Sequence, residues 1–507
     1  MRNRSWYPLG RIVGGTIYPG LMSTAAALHQ ILNSLHITIN VRNICVFLAP
    51  IFASLTAIAA YLLTKEVTKR SSTGILAAAL VAIVPSYISR SVGGSYDNEG
   101  VAIFALIFTF YLWVKAVNTG SLSWAAACAL SYFYMVAAWG GFVFIINVIP
   151  IYVVLLIVSG RYSGRLYIAY STFYVLGSLL AMQVPFVGFN VVRQAECAAS
   201  HGVFILIQVT ALYRLLGVDK IDAKALRQFI FGTAATLVLL AAGTLIGLQL
   251  LGYTQWTGRS LTLLDPTYAK KYIPIIASVS EHQPTAWTSF FFDLHATVPF
   301  APVGLYFLFQ NPTDAKIFLI LYGTLAWYFA GVMVRLMLTL APVACILAAV
   351  GLSGVLNTFL AHLKFSVLKK AESAGSEENN TAPSSDAGSP KKGPKSTGGK
   401  SKKESDSFAP VSPIISLIVT YGLLGILVFY SQHATFVASE AYSSPSVVLG
   451  KSMSLSPEAE RNILTCFSGP MDAASRRMDG TRVIMDDFRE AYYWLRMNTA
   501  PDAKIMV

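Results

Sequence analysis

Asp97 and Glu99 stand one residue apart at the end of Arg90-Ser91-Val92-Gly93-Gly94-Ser95-Tyr96-Asp97-Asn98-Glu99-Gly100, a polar stretch between two strongly apolar runs. Carboxylates at the edge of hydrocarbon are costly to keep, roughly 2.5 to 3.5 kcal/mol for an aspartate at the bilayer centre, so they are read first as functional. Two hard oxygen donors suit Mg²⁺ or Mn²⁺ better than zinc. Asp97 or Asn98 could equally cap the helix that begins near Gly100. The two roles are compatible, because a capping carboxylate can offer its second oxygen to a metal. Arg90 can return across the Gly93-Gly94 turn as a counter-ion to Asp97; the simpler reading of its residue type is an arginine snorkelling to the interface.

Two further positions could add chemistry. Glu281 and His282 lie in Ser278-Val279-Ser280-Glu281-His282-Gln283-Pro284, within a long polar loop. Taken alone, each is an ordinary loop residue. Arg335 interrupts an apolar run over 315–360 that would make a helix of roughly 69 Å at about 1.5 Å per residue, about twice the membrane thickness. The run must therefore fold back near 331–335, which puts Arg335 at a membrane face. There a planar guanidinium can grip phosphate oxygens, or simply snorkel.

The elements that position these residues are membrane spans. Hydrophobic residues make up 55% of the 507 and charged residues 12%, against about a quarter charged in soluble domains, so the chain is polytopic and all-α. About twelve apolar runs are expected as spans, near 45–63, 74–88, 101–117, 122–139, 140–158, 166–187, 203–216, 229–251, 297–309, 315–330, 336–360 and 414–430. The net charge of +13 does not argue for nucleic acid. Lys65, Lys69 and Arg70, Lys115, Arg161 and Arg165, Lys220 to Arg227, Lys316, and the lysines from Lys364 to Lys403 fall in alternate connections, which the positive-inside rule makes cytoplasmic. Asp97, Glu99, Glu281 and Arg335 then share the opposite side.

Residues 1–44 are expected to form a luminal loop with short surface helices, 45–360 the transmembrane helices with their catalytic loops, and 361–413 a disordered cytoplasmic loop rich in Ser, Gly, Pro and Lys. One last span, 414–430, leads into 431–507, the start of a luminal α/β domain. There Asp487 and Glu490 form a possible capping box ahead of an apolar helical face. Lys504 to Val507 reads as a strand without a partner, which suggests a truncated end. The cysteines, Cys45, Cys128, Cys197, Cys345 and Cys466, have no metal-ligand spacing and imply no disulfide framework.

Taken together, Trp6-Tyr7-Pro8-Leu9-Gly10-Arg11, Gly14-Gly15-Thr16-Ile17-Tyr18-Pro19-Gly20, Tyr96-Asp97-Asn98-Glu99-Gly100, Ser278-Val279-Ser280-Glu281-His282-Gln283-Pro284, Val334-Arg335-Leu336 and Asp486-Asp487-Phe488-Arg489-Glu490-Ala491-Tyr492 resemble the catalytic subunit of eukaryotic oligosaccharyltransferase. The resemblance implies a GT-C membrane fold in the endoplasmic reticulum. It implies transfer of a preassembled oligosaccharide from dolichyl diphosphate to the Asn amide of Asn-x-Ser/Thr in nascent polypeptides, alongside other subunits of the complex and the translocon. By the same resemblance Asp97 and Glu99 would hold Mn²⁺ or Mg²⁺, Glu281 within the Ser278-Val279-Ser280 motif would contact the acceptor amide, Arg335 would bind the lipid diphosphate, and Arg90 would support activity.

The family has a first span and an acidic motif ahead of the segment that begins here, and a Trp-Trp-Asp-Tyr-Gly motif beyond the segment that ends here. The chain as written is therefore expected to lack activity. Residues 451–478 match nothing in the family. A secondary transporter would place coupling-ion sites at mid-membrane between inverted repeats; this chain has no internal repeat and its acids lie in loops. A non-catalytic scaffold in the same complex is the third reading.

Overall fold

In the computed structural model, residues 17–215, 279–363 and 412–439 are described, with the helical backbone from 364 to Glu378 and short pieces at 4–5, 11–12, 232, 268, 271–273, 475–476, 482–483 and 497–498. Within them the protein is mostly helical. A two-residue hairpin, β1 (Arg4–Ser5) against β2 (Arg11–Ile12), precedes the first helix, and a second, β3 (Ser475–Arg476) against β4 (Arg482–Val483), follows the last span.

The sequence punctuates the first half of the bundle. Helix α1 (Gly20–Ser34) lies against α2 (Val41–Thr68), which starts where the Asn40 side chain accepts from Arg42 N at 2.9 Å and ends on Lys69 in the left-handed region. Helix α3 (Ser71–Ile83) stops at Val84, which is extended because Pro85 follows, and Pro85 then opens the short α4 (Pro85–Ile88). Next come α5 (Asn98–Thr119), α6 (Leu122–Ala138), α7 (Phe142–Val158), α8 (Gly164–Met182), α9 (Asn190–Arg193) and α10 (Ala198–Leu215).

The second half contains α11 (Trp287–Leu294), α12 (Thr297–Gln310), α13 (Asp314–Val332), α14 (Met337–Glu378) and α15 (Pro413–Val437). Helices α5 and α14 are the most deeply buried of the membrane-length helices. Residues Leu340 to Ala349 of α14 are almost entirely buried, Pro342 included in the run. Small residues let neighbours approach to backbone contact, as membrane helices require: a Cβ on Gly304 of α12 would sit 1.9 Å from the Leu347 carbonyl oxygen of α14. Trp113 on α5 packs among Tyr152, Tyr170 and Phe173 from α7 and α8. Two of the buried tyrosines donate their hydroxyls to carbonyls, Tyr170 to Ser200 O and Tyr322 to Thr339 O, each at 2.9 Å.

Among the described residues, six helices are long and apolar enough to cross a membrane, or seven if α11 and α12, bent by 85° at their junction, count as one broken span. Three more apolar helices, α3, α6 and α7, are shorter. This falls below the twelve expected from apolar runs, for local reasons. Pro85 breaks the run at 74–88, α8 is diluted by Arg165, Tyr167, Ser171, Thr172 and Tyr174, and 229–251 lies outside the described residues. The fold-back expected near 331–335 is present, since α13 ends at Val332 and α14 begins at Met337. Helix α14 runs on to Glu378, well past the end expected near 360. The region around Asp487 and Glu490 and the Lys504 to Val507 run lie outside the described residues, as does Cys466.

Candidate active site

Three separate connections meet at one end of the bundle. The first carries Arg90 on a turn after α4 and Asp97 and Glu99 at the start of α5. The Thr56 and Tyr87 hydroxyls, 2.8 Å apart and buried, tie α2 to α4 below this turn. Gly94, at φ +94°, donates its N–H to Val46 O at 2.9 Å and reverses the chain so that Asp97 faces back toward Arg90.

The other two connections are sewn to each other. Glu281 sits in a 3₁₀ turn over Ser280–His282, and Arg335 in another over Val334–Leu336. Thr285 N donates to Gly331 O at 3.2 Å and Val334 N to Gln283 O at 3.0 Å, while the Thr285 hydroxyl donates to Ala330 O. The glutamate loop is therefore clipped to the α13–α14 reversal.

The side chains converge around Arg90. Its Nη1 lies 3.2 Å from Asp97 Oδ2, its Nη2 2.5 Å from Glu281 Oε1 and its Nε 3.3 Å from Glu99 Oε2. Arg335 Nε donates to the other Glu99 oxygen at 2.7 Å. Glu99 has no exposed side-chain surface, whereas Arg90 and Arg335 are each about a third exposed. Burial works against the charge on Arg90, but the carboxylates of Glu99, Glu281 and Asp97 outweigh it and hold the guanidinium above its ordinary value.

The alternatives left open by the residues now separate. Asp97 occupies the N-cap position of α5 but makes no side-chain capping bond, and spends its carboxylate on Arg90 instead. Arg90 and Arg335 do not snorkel away, because both are ion-paired to Glu99. Val279 precedes the glutamate turn and Ser280 opens it; Ser278 lies outside the described residues. Gln283 and Thr285, which position Glu281, were not singled out from the sequence, and nothing in their residue types marks a backbone clip.

Residues 2–348 match the family model described as "Oligosaccharyl transferase STT3, N-terminal". The chain belongs to this family. It is 51% identical over 506 residues to the dolichyl-diphosphooligosaccharide–protein glycosyltransferase subunit STT3 of Dictyostelium discoideum, covering 99% of this chain and 62% of that protein. It is 48% identical over 505 residues to subunit STT3B of Oryza sativa subsp. japonica, covering 99% and 64%. The chain thus spans less than two thirds of the length of these STT3 relatives. Its fold is similar to that of the Archaeoglobus fulgidus oligosaccharyltransferase in the apo form, at a TM-score of 0.60 and 15% identity over 99% of this chain and 54% of that one. The archaeal enzyme AglB, in complex with an inhibitory peptide and a dolichol-phosphate, matches at 0.60 with 14% identity, covering 86% and 49%.

Whether the STT3 site suits a divalent cation depends on its donors. Asp97, Glu99 and Glu281 supply hard oxygens, and Glu99 Oε2 is buried without a hydrogen bond, its contact to Arg90 being an ion pair only. Three carboxylates against two guanidiniums leave one net negative charge. The oxygens are spread around Arg90, and among the described residues no group of three or more His, Cys, Asp or Glu is placed to hold a metal. The donor chemistry fits Mn²⁺ or Mg²⁺.

Proposed function

We propose that this chain carries the transfer centre of an oligosaccharyltransferase. The centre moves a preassembled oligosaccharide from dolichyl diphosphate to the side-chain amide of Asn in Asn-x-Ser/Thr of a nascent polypeptide. The observation that carries the reading is the convergence of Arg90, Asp97, Glu99, Glu281 and Arg335 from three connections onto one end of the bundle. Family membership supplies the reaction class.

An amide nitrogen is a poor nucleophile because its lone pair is conjugated, with a rotation barrier of about 18 to 20 kcal/mol. Glu281, partly exposed at the rim, accepts an amide N–H bond and weakens that conjugation. The nitrogen then displaces the diphosphate at the anomeric carbon with inversion. The C–O bond breaks toward the leaving group, and one amide proton passes to a carboxylate. Arg335 stabilises the charge gathering on the diphosphate oxygens, and Arg90 keeps the carboxylates together. Asp97 and Glu99 would hold Mn²⁺ or Mg²⁺, which supplies Lewis-acid neutralisation of the leaving diphosphate.

The full reading is a GT-C bundle of about twelve spans in the endoplasmic reticulum membrane. Its charged end faces the lumen, ahead of a luminal C-terminal α/β domain, and it works beside other subunits of the complex and the translocon. The alternation of basic connections along the sequence supports this orientation.

The test is a chimaera in which this chain replaces the matching segment of the Dictyostelium relative. Microsomes containing it should transfer dolichyl-linked glycan to an Asn-x-Thr peptide, and Glu99→Ala should abolish transfer. An unchanged rate in Glu99→Ala sinks the site assignment, and transfer of nothing by the parent chimaera favours a scaffold role.

A further inference from the structure

Both oxygens of Glu99 are already taken. Oε1 accepts from Arg335 Nε at 2.7 Å and Oε2 lies 3.3 Å from Arg90 Nε, and the side chain has no exposed surface through which another cation could approach. A ligand role for Glu99 therefore requires one guanidinium to leave. The two contacts are unequal. Arg335 makes a short hydrogen bond, whereas Arg90 makes only an ion pair and leaves Oε2 without a hydrogen bond.

Arg90 also has somewhere to go. Its other partners, Asp97 and Glu281, are 37% and 42% exposed and lie at its terminal nitrogens, so it can pivot outward on them while Nε comes off Glu99. Local repulsion points the same way. A divalent cation on Glu99 Oε2 and the Arg90 guanidinium, now 3.3 Å from that oxygen, would be like charges in contact within a partly buried site, where a low dielectric strengthens their repulsion.

We propose that Arg90 is an internal stand-in for the divalent cation: it holds the Asp97, Glu99 and Glu281 carboxylates in register, and it must swing off Glu99 Oε2 before that oxygen can ligate. The proposal rests on the reading of Asp97 and Glu99 as cation ligands. Arg335 stays on Oε1 in both states. Cation loading and Arg90 release are then one exchange, in which the positive charge removed from Glu99 is replaced as it leaves.

The test uses the full chain in detergent with Mn²⁺ as the probe. Bound Mn²⁺ is read by loss of the free-ion electron paramagnetic resonance signal, and arginine accessibility by phenylglyoxal labelling and peptide mass spectrometry. Mn²⁺ should raise labelling of Arg90 several-fold and leave Arg335 unchanged. Arg90→Met should bind Mn²⁺ roughly tenfold more tightly or better, since a competing charge in contact with the ligand is removed, and Arg90→Lys should stay near the parent. If Mn²⁺ binds but Arg90 labelling is unchanged or falls, or if Arg335 is the residue released, the exchange is wrong while the cation site stands. If Arg90→Met binds no more tightly, Arg90 is a support for the ligands and not their competitor. If neither protein takes up Mn²⁺, the cation reading itself fails. The labelling arm uses the unaltered chain, so it decides the matter even if Arg90→Met does not fold.

Discussion

The two ends of α5 carry charges in opposite styles. At its start, Glu99 is fully buried and joined to arginines from two other connections. About 30 Å away, given about 1.5 Å per residue, Asn118 near its end donates to Glu66 Oε1, which also pairs with Lys69, itself 67% exposed. Nearby, Arg161 reaches Asp314 and the Pro312 carbonyl with both charged side chains well exposed, and Arg165 caps the Asn118 carbonyl. At the second end, charge is solvated or spent on helix ends, and each contact serves the bundle. At the first end, charge is withdrawn from water and concentrated on one carboxylate, an arrangement that packing alone does not require. The comparison teaches that burial and convergence, more than the number of charges, distinguish the end that carries the candidate site.

Glu99→Ala should strain this contrast most. Removing the shared carboxylate takes away two ion-pair contacts at once and leaves the partly buried Arg335 without its acid, which should cost about 3 kcal/mol, the low end for breaking a buried pair. Denaturant unfolding should register that loss together with the loss of transfer. Arg335→Met should come next, at about 2 kcal/mol, in the range for a hydrogen bond to a charged group. Thr285→Ala removes the hydroxyl bond to Ala330 O and should destabilise by about 1 kcal/mol. Its clearer signature is faster amide exchange at Val334, whose N–H belongs to the clip.

Smallest of all should be the pair at the far end. A double-mutant cycle on Arg161 and Asp314 should give a coupling below about 0.5 kcal/mol. A coupling there as large as that between Arg335 and Glu99 would dissolve the distinction between the two ends.

Much of this was legible in the residues, for identifiable reasons. Asp97 and Glu99 were visible because carboxylates beside apolar runs are rare, and Arg335 because its apolar run is too long for one crossing. The described residues contain fewer membrane-length helices than the twelve apolar runs, since apolar runs do not record where Pro85 breaks a helix or how much α8 is diluted by polar groups. The clip through Gln283 and Thr285 left no trace, because two of its three bonds are made by backbone atoms that every residue possesses and the third by an ordinary loop threonine.

Composition and charge alternation alone determined that the chain is a helical membrane protein with its acids on one side, since hydrocarbon tolerates few charges and sorts the basic loops. Only the tertiary structure decided that one buried glutamate serves two arginines and that Arg90 reaches three carboxylates at once. Glu281 and Arg335 are distant in sequence from Glu99, and no local preference encodes contacts over such separations. They arise when helix packing closes the loops over one another.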